Sequence, residues 1–273
     1  MRRKDLPELD VRAVAEAYEG RVTGAIPELR SLALRTLDRV GPQQWRLEWH
    51  LPWWLGDELG LPADVSREIV LSNVLGLASI RLEDDLIDGD IAADEIASAK
   101  ALSIALYREA VELYRSHFDD ASLFWSRLDS YMTEWRSATS NAAPDTSHGR
   151  GDALVRRLAR RGAPLKISAL AVCLLADQEH RFLVVHRCLG WALAAMVLYD
   201  QFVDWEEDLA AGRWNAFVAS AAPYPRAPSV SAGQRSAVLV AMMTAGAVSE
   251  HFGRVHAAAV RATGFAEQVG SPP

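Results

Sequence analysis

The sequence predicts an all-α fold, a single-domain helical bundle around one central apolar cavity. Three observations predict it. Apolar residues recur at steps of three and four through most of the 273 residues. Runs with the period-two alternation of a strand are nearly absent. Glycine, proline and short polar clusters separate the periodic stretches, as expected of helix ends and turns.

The elements follow in order. Residues 11–18 and 26–40 carry helical apolar spacing. Ala63-Asp64-Val65-Ser66 offers N-cap choices for a long helix reaching about residue 87, and Gly89 ends it. Residues 92–118 and 123–139 are two more helices. Residues 139–152 read as a loop by composition. Residues 152–161 form a basic helix, which Gly162-Ala163-Pro164 breaks and residues 165–176 continue. Residues 182–211 form one helix. A Pro-rich loop at 221–234 precedes a last helix over 235–263, and 264–273 is expected to be a flexible tail. With neither an internal repeat nor a linker, residues 1–273 are expected to be one domain.

Composition narrows the function. Half the residues are apolar, enough for a sizeable core. The net charge of −7 excludes a general nucleic-acid binder, which needs a basic surface. Cys173 and Cys188 lie in apolar helical sequence and are expected to be buried free thiols in a reducing compartment. No apolar h-region follows the basic start MRRKDLPELD, and the apolar stretches 167–176 and 188–199 are shorter than a membrane span. A cytoplasmic protein with no membrane span is expected. Homodimer formation is left open.

Two acidic clusters stand out. Glu83-Asp84-Asp85-Leu86-Ile87-Asp88 is the first. Asp200, Asp204 and Asp208 form the second, inside LYDQFVDWEEDLAAGRWN. Both occupy apolar, helix-like sequence, where carboxylates are costly to bury unless paired or bound to a cation. Positions i and i+4 share a helix face, so Asp84 and Asp88 point one way and the second trio forms a stripe. Asp85 lies about 100° around the helix from Asp84 at 3.6 residues per turn. Oxygen-only ligands suit Mg²⁺ shared between carboxylates and substrate phosphates. A di-iron bundle would need Glu-x-x-His pairs, an EF-hand would need ligands in a loop with a central glycine, and zinc would need His/Cys spacing. None of these occurs.

On these residues the chain resembles the class I isoprenoid (terpenoid) synthases. Asp84-Asp85-Leu86-Ile87-Asp88 matches the family's DDxxD. Asp200, Asp204 and Asp208 match the spacing of its second metal motif, and Gly212-Arg213-Trp214 is similar to the Gly-Arg-aromatic that follows it in squalene-type enzymes. The resemblance implies Mg²⁺, three ions in all, held by Asp84, Asp85, Asp88, Asp200, Asp204 and Asp208. It implies a prenyl diphosphate as substrate partner. It further implies basic residues around the diphosphate, and the candidates are Arg156, Arg157, Arg160, Lys166 and Arg213. Arg157 lies where family cyclases place a diphosphate-sensing arginine, and Lys166-Ile167-Ser168 echoes the Lys-Thr pair of chain-elongating members. Asp84, Asp88, Arg157 and Lys166 are the expected catalytic set. Leu77, Ile80, Leu193, Met196 and Val197 lie one or two turns before the carboxylates and would wall an apolar pocket. Nine tryptophans offer π faces for a carbocation.

Within the family, no Arg-Arg-Gly follows DDLID and no Gly-Gly-Lys-Arg precedes it, so the second diphosphate site of chain-elongating enzymes is missing. The expected activity is that of a terpene cyclase, a carbon–oxygen lyase. A trans-prenyltransferase or a squalene/phytoene-type head-to-head synthase is the alternative. A non-catalytic helical scaffold is a remote one.

Overall fold

The computed structural model describes residues 8–140, 157–211, 215–221, 232–244 and 246–269. Among the described residues every regular element is a helix, so the all-α expectation holds. The α-helices are α1 (Val11–Ala25), α2 (Arg30–Arg39), α3 (Arg46–Leu59), α4 (Ala63–Asp88), α5 (Ile96–Arg115), α6 (Leu123–Ser140), α7 (Leu165–Leu175), α8 (Glu179–Val203), α9 (Trp205–Ala210), α10 (Ala216–Ala221), α11 (Ala232–Thr244) and α12 (Ala247–Val269). Short 3₁₀ turns occupy Pro27–Leu29 and Arg160–Gly162. The chain forms two compact units, Met1–Tyr131 with Pro164–Phe182, and Met132–Ala163 with Leu183–Pro273.

In the first unit α4 runs along α5 and also packs against α3 and α7. Asp10 starts α1 by accepting a hydrogen bond from Ala13 N at 3.0 Å. One turn apart on α1, Val14, Tyr18 and Val22 are fully buried, and Tyr18 Oη donates to Ala33 O at 3.2 Å. Small polar side chains tie α4 to α5. Ser72 Oγ donates to Ala110 O at 2.8 Å, and Ser79 and Ser103 each donate to the other's carbonyl at 2.9 and 3.1 Å. Such pairs let two helix backbones approach closely without orphaning a buried polar group. Gly56 on α3 serves the same end, since a Cβ there would collide with Ser66 Oγ on α4.

Helix α3 has no counterpart in the sequence reading. Its interior proline, Pro52, argues against a helix because it lacks an N–H and crowds the preceding turn. Burial of Trp49, Pro52, Leu55 and Leu59 along one face outweighs that cost, and Trp49 Nε1 donates to Val40 O at 2.7 Å. Helix α4 ends where expected, at Gly89 with φ 79°, although its N-cap is Pro62 rather than a side-chain cap. Helix α7 is buried on all sides from Leu165 to Cys173. That burial pushes the Cys173 thiol up to about 12, as expected of an inert free thiol.

The second unit holds a cluster of Trp205, Leu209, Phe217, Val218, Val238, Ala241 and Ala247. His251 is fully buried, with Nε2 hydrogen-bonded to Leu198 O at 2.7 Å and its ring edge-on to Phe217 at 5.2 Å. Three sequence expectations change here. The helix over 182–211 bends at Asp204, whose φ −93° and ψ 9° leave the helical well and divide α8 from α9. The backbone ladder still spans the bend, with Asp204 N bonded to Asp200 O at 2.8 Å and Asp208 N to Asp204 O at 2.9 Å. The last helix divides at Gly246, whose φ of 68° is a left-handed conformation. Helix α12 then continues to Val269, so residues 264–269 are helix rather than tail. Arg187 over the Phe265 ring (6.0 Å) and Cys188 Sγ to Ala262 O (3.4 Å) pack this end of α12.

Helix α8 is longer than its apolar stretch suggests. Across its 25 residues it contains an 18-residue window of mean hydropathy 1.7, so it is long and apolar enough to cross a membrane by length and composition, where residues 188–199 by themselves are too short. Its buried stripe of Val185, Leu189, Leu193 and Leu198 is equally that of a helix packed along one face.

Candidate functional site

The first acidic motif occupies the last turns of α4. Its three aspartates separate by face. Asp88 is exposed, Asp84 is half-buried, and Asp85 is 1% exposed. Asp85 is held by two arginines. Arg39 Nη2 donates to its Oδ1 at 3.1 Å, and Arg81 Nη2 lies 2.9 Å from the same oxygen. Arg39 Nη1 is 2.7 Å from Oδ2 but outside hydrogen-bonding alignment, an ionic contact rather than a directed bond. Asp84 Oδ2 lies 3.8 Å from Arg81 Nη1. The metal set implied by the family includes Asp85, yet its carboxylate is committed to two guanidinium groups. Asp84 and Asp88 share the outward face, as their spacing predicts. No basic residue stands in the last turn of α4. Carboxylates there oppose the helix dipole at roughly 0.3–1 kcal/mol each.

The second motif spans the α8–α9 bend. Asp200 keeps solvent access, yet crowding by protein atoms desolvates its carboxyl and raises its pKa, and the nearby Asp204 raises it further. Like charges one turn apart are the situation that a bound cation relieves. Asp208 stands in the first turn of α9, where the helix dipole favours it. Asn215 Nδ2 donates to Asp208 Oδ2 at 2.8 Å and to Gln201 O at 2.7 Å. Asn215 Oδ1 accepts from Phe217 N and Val218 N at 2.9 and 3.1 Å, making Asn215 the cap of α10. Gln201 Oε1 accepts from Ala216 N at 2.6 Å.

The basic candidates divide between the units. Lys166 belongs to the first, is buried, and points its ammonium over the Tyr131 ring at 5.7 Å. Arg157 and Arg160 belong to the second. Arg157 is half-buried, while Arg160 is exposed and lies 3.5 Å from Glu134. Arg156 and Arg213 lie outside the described residues. Among the expected pocket residues Leu77 and Ile80 are half-buried, and Leu77 packs against the core of the first unit. In the second unit Leu193 is buried, Val197 is half-buried and Met196 is exposed. Leu193 packs directly on Gly162, where a Cβ would meet its Cδ2 at 2.5 Å.

The sequence reading missed Arg39 and Asn215. Asn215 carried a readable signal, since an asparagine before the apolar run AFVASA is a strong N-cap candidate. Arg39 carried none, because only packing brings it to Asp85.

Among the described residues no three His, Cys, Asp or Glu side chains form a metal-binding group. The donors themselves fit a different use. They are carboxylates only, and at Asp200 both desolvation and the neighbouring Asp204 raise the pKa. Mg²⁺ characteristically takes one or two carboxylates and completes its shell with water and substrate phosphate, so this donor set suits it. Comparison of the chain with family models, curated proteins and solved structures returns no match.

Proposed function

We propose that the protein is a Mg²⁺-dependent class I terpene synthase, a cyclase that ionises a linear prenyl diphosphate and releases diphosphate with a cyclised hydrocarbon or alcohol. One observation carries the reading. Two oxygen-only carboxylate sets are in play: Asp84 with Asp88 at the end of α4, where the helix dipole opposes them, and Asp200 with Asp204 and Asp208 about the α8–α9 bend, where desolvation and the neighbouring Asp204 raise the Asp200 pKa. Such placement costs stability and makes sense when a cation and an anionic ligand complete it. Bound Mg²⁺ would supply charge neutralisation to the departing diphosphate.

The protein's own groups do the rest. Asp84, Asp88, Asp200, Asp204 and Asp208 hold the cations. Arg157 and Lys166 supply further positive charge as the leaving group departs. Leu77, Ile80, Leu193, Met196 and Val197 supply apolar surface for the prenyl chain and keep water from the cation. Asp85 does not ligate here; it anchors Arg39 and Arg81. That engagement also weighs against chain elongation, since Arg39 and Arg81 would otherwise be natural partners for a second diphosphate.

The test is incubation with geranyl, farnesyl, geranylgeranyl and geranylfarnesyl diphosphate plus Mg²⁺, with and without isopentenyl diphosphate. The expected result is release of inorganic diphosphate and a terpene from a single substrate, abolished by chelator. Turnover in excess chelator equal to that with Mg²⁺ refutes the mechanism. Longer prenyl diphosphates formed only when isopentenyl diphosphate is present refute the cyclase assignment.

A further inference from the structure

We infer that Asn215 is a positioning residue for the second metal motif, holding the Asp208 carboxylate in its ligating orientation while capping α10. The inference rests on the proposed Mg²⁺ role of that motif. Asn215 is fully buried, and both ends of its amide are in use. Its two N–H donors reach Asp208 Oδ2 and Gln201 O, and its oxygen takes the second and third N–H groups of α10, those of Phe217 and Val218. An amide with four partners in a buried site has one orientation, so the oxygen it holds on Asp208 has one orientation too. The donor is neutral, which matters chemically. An arginine or lysine in its place would spend the charge of Asp208 on a salt bridge, as Asp85 is spent on Arg39 and Arg81. A neutral N–H aims the carboxylate without itself neutralising it.

The same amide joins Asp208 to the core. Phe217 and Val218, whose N–H groups it caps, belong to the buried cluster that contains Trp205 and Leu209 on either side of Asp208. Gln201, one residue after Asp200, accepts from Ala216 N and ties the α8 side of the bend to the same turn. Asp208 is thus set on a braced loop-and-helix turn, where metal ligands need their supporting hydrogen bonds.

The test separates aiming from capping. Asn215→Ser keeps a good N-cap but is too short to reach Asp208. Asn215→Asp keeps the cap and the volume but sets a second carboxylate against Asp208. The readout is the thermal midpoint of the full chain against Mg²⁺ concentration, with inorganic diphosphate present, and needs no turnover. In Asn215→Ser the half-saturating Mg²⁺ concentration is expected to rise about tenfold, within the range for loss of a ligand's supporting partner. In an Asp208→Asn background the same serine should add less than a twofold change. In Asn215→Asp the Mg²⁺-induced rise of the midpoint should exceed that of the parent, because the ion relieves added repulsion. A half-saturating concentration for Asn215→Ser within twofold of the parent overturns the inference, as does an equal serine effect with and without Asp208. An Asn215→Asp rise equal to the parent's overturns it as well. If the parent shows no Mg²⁺-dependent shift at all, the metal reading itself fails, and the inference falls with it.

Discussion

Replacing Asp85 by asparagine should damage the fold, and replacing Asp84 should not. Asp85 is 1% exposed and meets two arginines whose side chains are 47% and 33% exposed. Asparagine keeps the volume but removes the charge and turns one donor toward a guanidinium. Hydrogen bonds to charged groups contribute roughly 1.5–3 kcal/mol each, and two arginines lose theirs. Two effects offset part of the loss. The carboxylate no longer has to be desolvated, and both arginines can regain water at their exposed faces. A net loss of about 2–3 kcal/mol remains, below the roughly 3–5 kcal/mol seen when a fully buried pair is broken. At roughly 2–4 °C per kcal/mol for larger domains, the midpoint should fall by about 4–12 °C. Asp84, half-buried and 3.8 Å from Arg81 Nη1, should lose about 0–1 kcal/mol. Thermal unfolding followed by circular dichroism in chelator, where no metal can contribute, reads both variants. A midpoint for Asp85→Asn within about 1 °C of the parent, or a larger fall for Asp84→Asn, refutes the division of labour between adjacent aspartates.

Three further outcomes are expected. Asp84→Asn and Asp204→Asn should each abolish or strongly reduce release of diphosphate from a prenyl substrate in a colorimetric assay, while their midpoints in chelator fall by less than that of Asp85→Asn. His251, whose pKa burial lowers, should bind a proton more readily unfolded than folded, so its contribution to stability is complete above the ordinary value of 6.5 and is lost as pH falls below it. Denaturant midpoints between pH 7.5 and 5.5 should decline less steeply in His251→Gln than in the parent. Lys166→Ala should lower kcat with a smaller change in KM, because its charge is needed as diphosphate departs; a change in KM alone would assign Lys166 to ground-state binding.

Much of this molecule is legible in one dimension. Helical periodicity and the absence of strand alternation determine the class, because both are local consequences of how side chains distribute around a backbone. The end of α4 at Gly89 is legible too, since glycine takes a left-handed φ at no steric cost. The outward pairing of Asp84 with Asp88, and the exclusion of Asp85 from their face, follow from 3.6 residues per turn.

What packing decides lies elsewhere. Helix α3 tolerates Pro52 because its buried face outweighs a lost hydrogen bond, a balance invisible in propensity. The bend at Asp204 and the break at Gly246 divide two stretches whose periodicity runs on unbroken, because periodicity registers faces and not axis direction. Asp85 and Asp208 are both aspartates of acidic motifs. One is neutralised by Arg39, 46 residues away, and by Arg81, while the other is held by the uncharged Asn215. The sequence by itself determined which residues bear charge and which face of a helix carries them. Packing sets which carboxylate meets guanidinium groups and which meets a neutral amide, because a carboxylate's neighbours in space are chosen by the helices around it.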